Sequence, residues 1–90
     1  MDQMIEHIKK DLKRYHFFLY ENVTKQDYKF IESDLQGIVA QINTFYDECE
    51  KEEQRDQLNE LKAIAESYRE RAKALQELYQ KQNTEQEIEK

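Results

Sequence analysis

Apolar residues that recur at alternating spacings of three and four constrain the fold of this chain more than any other feature. One repeat keeps this spacing over seven residues: Tyr28, Ile31, Leu35, Ile38, Ile42, Phe45 and Cys49. Two further repeats show the same pattern, and they comprise Met1, Ile5, Ile8, Leu12, Tyr15 and Leu19, then Leu58, Leu61, Ala65, Tyr68, Ala72, Leu75 and Tyr79. Side chains at this spacing share one face of an α-helix, where they can pack against neighbouring helices. The repeats therefore predict three helices around one apolar core.

The fold class that these repeats favour is all-α: an antiparallel three-helix bundle with coiled-coil-like heptad packing. We expect one domain over residues 1–80, with helices over about 2–22, 25–50 and 56–80. Residues 81–90 are polar apart from Ile88, so a disordered C-terminal tail is expected there. A chain of this size buries only about two thirds of its unfolded surface. A homodimer would be an ordinary way to cover the remainder.

The first connection is predicted from capping residues. Thr24 is a suitable N-cap for the second helix, with Asp27 three residues later in a variant of the capping box. A tight reversal over residues 21–24 would make the first two helices antiparallel neighbours.

The second connection leaves two arrangements open. Nine residues separate Cys49 from Leu58, and no step of three or four accommodates that interval. A turn near 51–56, with Asp56 capping the third helix, explains the interruption. Residues 50–55 are nevertheless good helix formers. The alternative is therefore a helical hairpin whose long, fused second helix pairs with a second chain.

Acidic residues outnumber basic ones, and they concentrate in the middle third of the chain. The formal net charge is −6, and residues 31–60 carry two basic against nine acidic residues. An acidic chain is repelled by nucleic acids and by anionic lipid surfaces, so we expect neither direct nucleic-acid binding nor membrane binding. A protein partner with a basic or mixed apolar-basic surface fits this charge better.

Cysteine usage and hydropathy favour a cytoplasmic protein. Cys49 is the only cysteine, so no disulfide can form within the chain. The longest apolar run, from Phe17 to Tyr20, is too short to span a bilayer, and the charged Asp2 at the start does not suggest a signal peptide.

No sequence pattern indicates an enzyme. The single glycine, Gly37, cannot form a Gly-rich phosphate-binding loop. Cys49 belongs to an apolar repeat, where a thiol packs as a small hydrophobic side chain. His7 and His16 lie nine residues apart, so they do not share a metal-binding helix face. We therefore expect no catalytic residue, no cofactor and no metal site.

The first candidate for partner binding lies on the first helix. Basic and aromatic residues recur there at spacings of three and four outside the apolar repeat: Lys10, Lys13, Arg14, Phe17 and Tyr20. Large exposed aromatics often mark contact surfaces, and Phe30 would extend this face around the first turn. The alternative is that Phe17 packs beneath a neighbouring helix.

The second candidate is an acidic segment beside the second connection, in which the residues of interest are Asp47, Glu50, Glu53 and Asp56. Clustered carboxylates can dock a basic partner surface. The alternative is a solvated connection without a function. Imitation of a nucleic-acid phosphate track is a lesser hypothesis, because the rest of the chain carries balanced charge.

These features together predict a non-enzymatic protein–protein interaction module, a small acidic adaptor or inhibitor that binds and occludes a protein partner. In this hypothesis the apolar-basic face of the first helix anchors the partner, and the acidic segment orients it. The alternatives are a structural coiled-coil assembly element or a secretion-type chaperone. The adaptor, inhibitor and chaperone roles rest on fold-level analogy alone, whereas the assembly element follows from fusion of the second and third helices.

Overall fold

Three α-helices form the bundle in a computed structural model, which describes the backbone of residues 2–23 and 27–89 and the side chains of residues 2–23 and 27–79. Helix α1 spans Asp2–His16 and continues into a π-helical turn over Phe17–Glu21. Helix α2 spans Tyr28–Glu48, and helix α3 spans Glu52–Glu89. The predicted all-α three-helix bundle is confirmed.

Helices α1 and α3 run parallel to each other, and α2 runs antiparallel to α3. Near the start of both parallel helices, Gln54 Nε2 donates to Asp2 Oδ1 at 2.8 Å. Near the end of α1, the Arg71 guanidinium donates to the carbonyl of Leu19 at 3.2 Å. At the start of α2, the Tyr28 ring stacks on Tyr79 of α3 with 5.7 Å between ring centroids. The chain therefore passes up, down and up.

The core consists of the residues of the three apolar repeats. All members that the structure describes are buried except Phe45, Tyr68 and Tyr79, which are partly buried and pack against the core. Complete burial of one large aliphatic side chain contributes about 1.5–3 kcal/mol, which exceeds the differences of about 0.7 kcal/mol or less in helix propensity among ordinary residues. Most of the stability of the helices in the core therefore comes from packing of their apolar faces.

Asp27 caps the second helix. Its carboxylate accepts a hydrogen bond from the backbone N–H of Phe30 at 3.1 Å, and α2 begins at Tyr28, three residues after the predicted start at 25. Asp27 is the N-cap because its carboxylate accepts a hydrogen bond from one of the free N–H groups of the first turn. The proposed cap Thr24 lies outside the described residues. The predicted tight reversal over 21–24 therefore remains untested at its far end.

The second connection is a turn, and the fused-helix alternative is wrong. Helix α2 ends at Glu48, Cys49 is extended, and α3 begins at Glu52, so the turn lies ahead of the predicted 51–56. Asp56 lies inside α3 and is not its N-cap. The reversal is stabilised because burial of both Cys49 and Leu58 requires the chain to fold back. Arg55 Nε also donates to the Cys49 carbonyl at 2.8 Å, which satisfies an acceptor that the helix end leaves free.

Helix α3 is longer than the apolar repeat predicts. Its backbone remains helical to Glu89, whereas the sequence suggested an end near residue 80 and a disordered tail. Glu, Gln and Lys are good helix formers, and they continue the helix after the apolar pattern ends. The bundle measures 59 × 21 × 15 Å, and a helix of 38 residues accounts for about 57 Å of that length. In the described part of the chain, no helix has an apolar stretch able to cross a bilayer.

Candidate protein-interaction groove between α1 and α3

A groove of about 510 Å³ lies between the parallel helices α1 and α3, on a side of the bundle that α2 does not line. Helix α1 contributes Lys9, Leu12, Lys13 and His16, and α3 contributes Gln57, Glu60, Leu61, Ile64 and Tyr68. Nine side chains of mixed character thus converge on one elongated depression. Apolar grooves with a few polar groups at the edge are the usual form of a binding site on a small domain.

The groove floor is apolar, and part of it is open to water. Leu12 and Leu61 are buried beneath it, whereas Ile64 is 40% exposed. Ile64 falls outside the core repeat but shares a flank of α3 with Gln57, Arg71 and Leu78, which follow one another at intervals of seven residues. Because Gln57 lines the groove and Arg71 bonds to Leu19, this flank faces α1. The exposed aliphatic surface is therefore placed at the α1–α3 groove.

The two walls of the groove carry opposite charges. Lys9 and Lys13 line the α1 side, and Glu60 lines the α3 side. Lys9 Nζ lies 3.4 Å from Glu6 Oε1 on the same face of α1. An exposed ion pair of this kind contributes little to stability. Within the described residues, Lys13 and Glu60 form no hydrogen bond or ion pair, so both charges remain available to a ligand.

The groove continues towards the α2–α3 turn through a smaller depression of about 350 Å³. This part shares Lys9 and Gln57 with the main groove, and it adds residues from both helix starts, Asp2, Ile5, Glu6, Lys51, Glu53 and Gln54. Gln54 also accepts from the buried Cys49 thiol at 3.2 Å, so this end is held in place by contacts among all three helices. More acidic residues line this smaller depression than line the main groove.

An aromatic cluster closes the opposite end. The His16 ring stacks on Tyr20 at 5.1 Å between centroids, and the Tyr68 ring lies 5.9 Å from His16 and 5.8 Å from Tyr20. The Arg71 guanidinium lies 5.2 Å from the centre of the Tyr20 ring, within cation–π distance. Burial, and secondarily the neighbouring Tyr20 hydroxyl, raise the pKa of Tyr68 above that of a free tyrosine.

The π-helical turn explains how Tyr20 reaches this cluster. The backbone N–H of Asn22 donates to the carbonyl of Phe17 at 2.7 Å, a bond across five residues that widens the last turn. The wider turn leaves Tyr20 half-exposed beside α3 and Phe17 half-exposed beside Phe18, whose ring it meets edge-on at 5.6 Å. The Arg71 bond to Leu19 braces the same turn.

The first predicted contact set is divided between two surfaces. Lys13 lines the groove, and Tyr20 belongs to the aromatic cluster. Lys10 and Arg14 do not line the groove; Arg14 is 3.8 Å from Asp11 and lies over the Tyr15 ring at 5.2 Å.

The aromatic residues Phe17 and Phe30 are both exposed. Phe17 is 45% exposed, so it is not buried beneath a neighbouring helix. Phe30 is 67% exposed at the start of α2, and the two rings make no contact with each other in the described structure.

The acidic segment surrounds the α2–α3 turn. Asp47, Glu50, Glu53 and Asp56 are all exposed, and only Glu53 also lines the extension of the groove. Within the described residues these four carboxylates form no ion pair, so they can attract a basic partner. They can equally remain solvated.

Sequence reasoning singled out only Lys13 as a contact residue among the nine residues that line the main groove. Ile64 is an aliphatic residue off its core repeat, and its heptad relation to Leu78 was a signal that could have indicated it. The sequence places His16 outside the apolar repeat and Tyr68 within it, yet their rings meet at the end of the groove. Cys49 is buried as its repeat predicts. The described residues contain no cluster of three or more side chains suited to a metal ion.

Comparisons with known proteins provide no relative on which to base a function: no protein-family model, no curated protein and no solved structure matches this chain.

Proposed function

We propose that this chain is a non-enzymatic protein–protein interaction module, a small acidic adaptor or inhibitor that binds a protein partner through the α1–α3 groove. Binding there would cover the partner's docking surface and so occlude it. The outer residues of α1 predicted from sequence, Lys10, Arg14 and Phe17, would contact the partner beside the groove.

The observation that carries this proposal is the open apolar floor between two charged walls. Ile64 exposes 40% of its surface inside a groove, and Lys13 and Glu60 stand on either side of it without partners of their own. An exposed aliphatic residue surrounded by polar groups is the usual composition of a contact site, with an apolar centre and a polar rim. The aromatic cluster at one end adds Tyr20, a residue type enriched at binding hot spots.

The acidic segment would orient the partner. Its exposed carboxylates lie at the end of the bundle where the groove extension opens, and Glu53 belongs to both. A basic region on the partner would be steered towards this end, because complementary charges accelerate encounter and disfavour the wrong orientation.

The experiment is capture of partners from the native host with the tagged chain, followed by mass spectrometry. Ile64→Asp should reduce capture of any specific partner at least about tenfold, since a charge would be placed in the apolar centre of the site. Met4→Asp is the matched control, because Met4 is 48% exposed on α1 and does not line the groove. The double change Phe17→Ala with Tyr20→Ala tests the neighbouring aromatic face. Capture that is equally strong with Ile64→Asp, in protein whose circular dichroism is unchanged, would contradict the proposal.

A second candidate function, a structural assembly element, is favoured by one observation. The backbone of α3 continues to Glu89, ten residues beyond Tyr79, the last residue of its apolar repeat. A helix that continues past its apolar repeat could join bundles into a larger assembly. Removal of residues 81–90 would then lower the mass measured by light scattering, whereas an adaptor that acts through the groove would keep its mass and its partner.

A further inference from the structure

We infer that the occupant of the α1–α3 groove is a single amphipathic helix of the partner protein, with acidic residues along its edge beside α1 and a basic residue on its edge beside α3. This inference rests on the proposed function and specifies the chemistry of the partner. It depends on the shape, the apolar floor and the charges of the groove.

The shape of the groove fits a helix. Its walls are two parallel helices, and the channel between such a pair accepts the ridge of side chains of a third helix, as in four-helix bundles. The main groove, whose walls carry the charges that matter here, is lined by α3 from Gln57 to Tyr68. That span is about 17 Å, which corresponds to roughly 11 residues of a bound helix. An extended peptide would need an exposed sheet edge for its backbone, and the described residues contain no strand.

The apolar floor fits one stripe of a helix rather than a helix that is apolar all round. Leu12 and Leu61 form the base, and Ile64 rises from it into solvent. A ligand helix with apolar residues at i, i+3, i+4 and i+7 would cover this strip with one narrow face. Its remaining faces would stay in water, so the ligand must be amphipathic.

The charges of the walls then determine the two edges of that helix. Lys9 and Lys13 favour carboxylates on the α1 side, whereas Glu60 favours a basic residue on the α3 side. A helix with basic residues on both edges would benefit from the net charge of −6 but would meet the lysines of α1. The charges of the two walls therefore favour a helix with one acidic and one basic edge, whereas the net charge of the chain favours a helix with two basic edges. This difference makes the inference testable.

The test uses three synthetic helical peptides of about 16 residues, which share one leucine stripe and differ in their edges: Glu and Lys, Glu and Glu, or Lys and Lys. Affinity for the full chain is measured by fluorescence anisotropy. The mixed peptide should bind at least about fivefold more tightly than either uniform peptide, since it alone pairs with both walls. Only one direction of the mixed peptide gives this pairing, because reversing a helix in the groove exchanges its edges. Whichever edge carries glutamate, one of the two directions therefore matches both walls.

Two variants should exchange the preference. Lys9→Glu with Lys13→Glu makes both walls acidic, so the Lys–Lys peptide should become the tightest ligand. Glu60→Lys makes both walls basic, so the Glu–Glu peptide should become the tightest. All three substituted residues are exposed, and the fold should therefore survive. A mixed peptide interrupted by two central prolines should bind at least about tenfold more weakly, because proline breaks the helix.

Several results would overturn the inference. They are failure of all three peptides to bind the wild-type chain, tightest wild-type binding by the Lys–Lys peptide, or equal binding of the proline-containing peptide. If light scattering shows a dimer that Ile64→Asp dissociates, a second copy of the chain occupies the groove instead. If the peptides fail while capture of a host partner still depends on Ile64, the helical ligand is wrong and the proposed function stands.

Discussion

At the scale of single residues, position relative to the core repeat decides what each side chain does. Tyr28 and Tyr20 have identical chemistry, yet Tyr28 is 1% exposed in the core and Tyr20 is 44% exposed beside the groove. Gly37 is a residue whose conformational freedom the fold does not use. No glycine in the described chain has a positive φ, and a Cβ added at Gly37 would meet no atom within 4 Å.

Gly37→Ala should therefore stabilise the protein. We expect the free energy of unfolding to rise by about 0.5–1 kcal/mol, because alanine loses less backbone entropy than glycine inside a helix. Chemical denaturation measures the change. Ala40→Gly is the matched control on the same helix, also at an exposed position, and it should lower stability by a similar amount. A destabilising Gly37→Ala would mean that this face of α2 is covered.

At the scale of elements, the π-helical turn joins α1 to the groove. Its widened geometry leaves the Leu19 carbonyl in reach of Arg71, and the same guanidinium lies over the Tyr20 ring. Such turns are uncommon and often occur at functional sites, since they change the direction of the side chains that follow. Here the turn and α3 stabilise each other through one arginine.

Arg71→Met should lower the free energy of unfolding by about 1–2 kcal/mol, because it removes a hydrogen bond from a charged donor together with a cation–π contact. Thermal or chemical denaturation provides the measurement. A double-mutant cycle with Tyr20→Ala should give a coupling energy of about 0.5–1 kcal/mol. Lys73→Met, an exposed change two residues along α3, should have little effect. Equal effects of Arg71→Met and Lys73→Met would show that the contacts of Arg71 with Leu19 and Tyr20 contribute nothing to stability.

Most of the element pattern could be predicted from local sequence, but the ends of helices could not. Asp27 was assigned to the third position of a capping box and is instead the N-cap. The predicted cap Asp56 lies within α3, because residues 52–55 are good helix formers and join the helix once the chain has turned. Competing caps differ by only about 1 kcal/mol, so tertiary contacts decide among them.

At the scale of the whole molecule, the helices form an elongated bundle with one long member. The radius of gyration is 15.9 Å, whereas a compact domain of this length would have a value of about 12 Å. The difference follows from the length of α3, which alone spans the long dimension of the molecule.

Small-angle X-ray scattering with light scattering should therefore report a monomer of 11.0 kDa with a radius of gyration of about 16 Å. Removal of residues 81–90 should reduce this radius with little change in the free energy of unfolding, because the apolar repeat of α3 ends at Tyr79. A fused helix over residues 28–89 would instead extend for about 93 Å and would pair as a dimer. A maximum dimension of that size would contradict the bundle.

The candidate site could be predicted only in part. Lys13, Tyr20 and Glu53 were singled out from sequence, and the structure places them at the groove, its aromatic end and its acidic extension. Ile64 and His16 were missed because each appears unremarkable on its own helix. Their role depends on which flank of one helix faces which flank of another, and a single-helix pattern does not contain that information.

By itself, the sequence determined that there are three apolar helix faces and which residues each face contains. This was possible because a helical repeat is local geometry, with about 3.6 residues in each turn. Only the tertiary structure decided that α1 and α3 are parallel neighbours, that Lys13 and Glu60 stand on opposite walls, and that His16 meets Tyr68. Those pairings arise from residues about 50 positions apart in the chain, which the bundle brings together to bury its shared core.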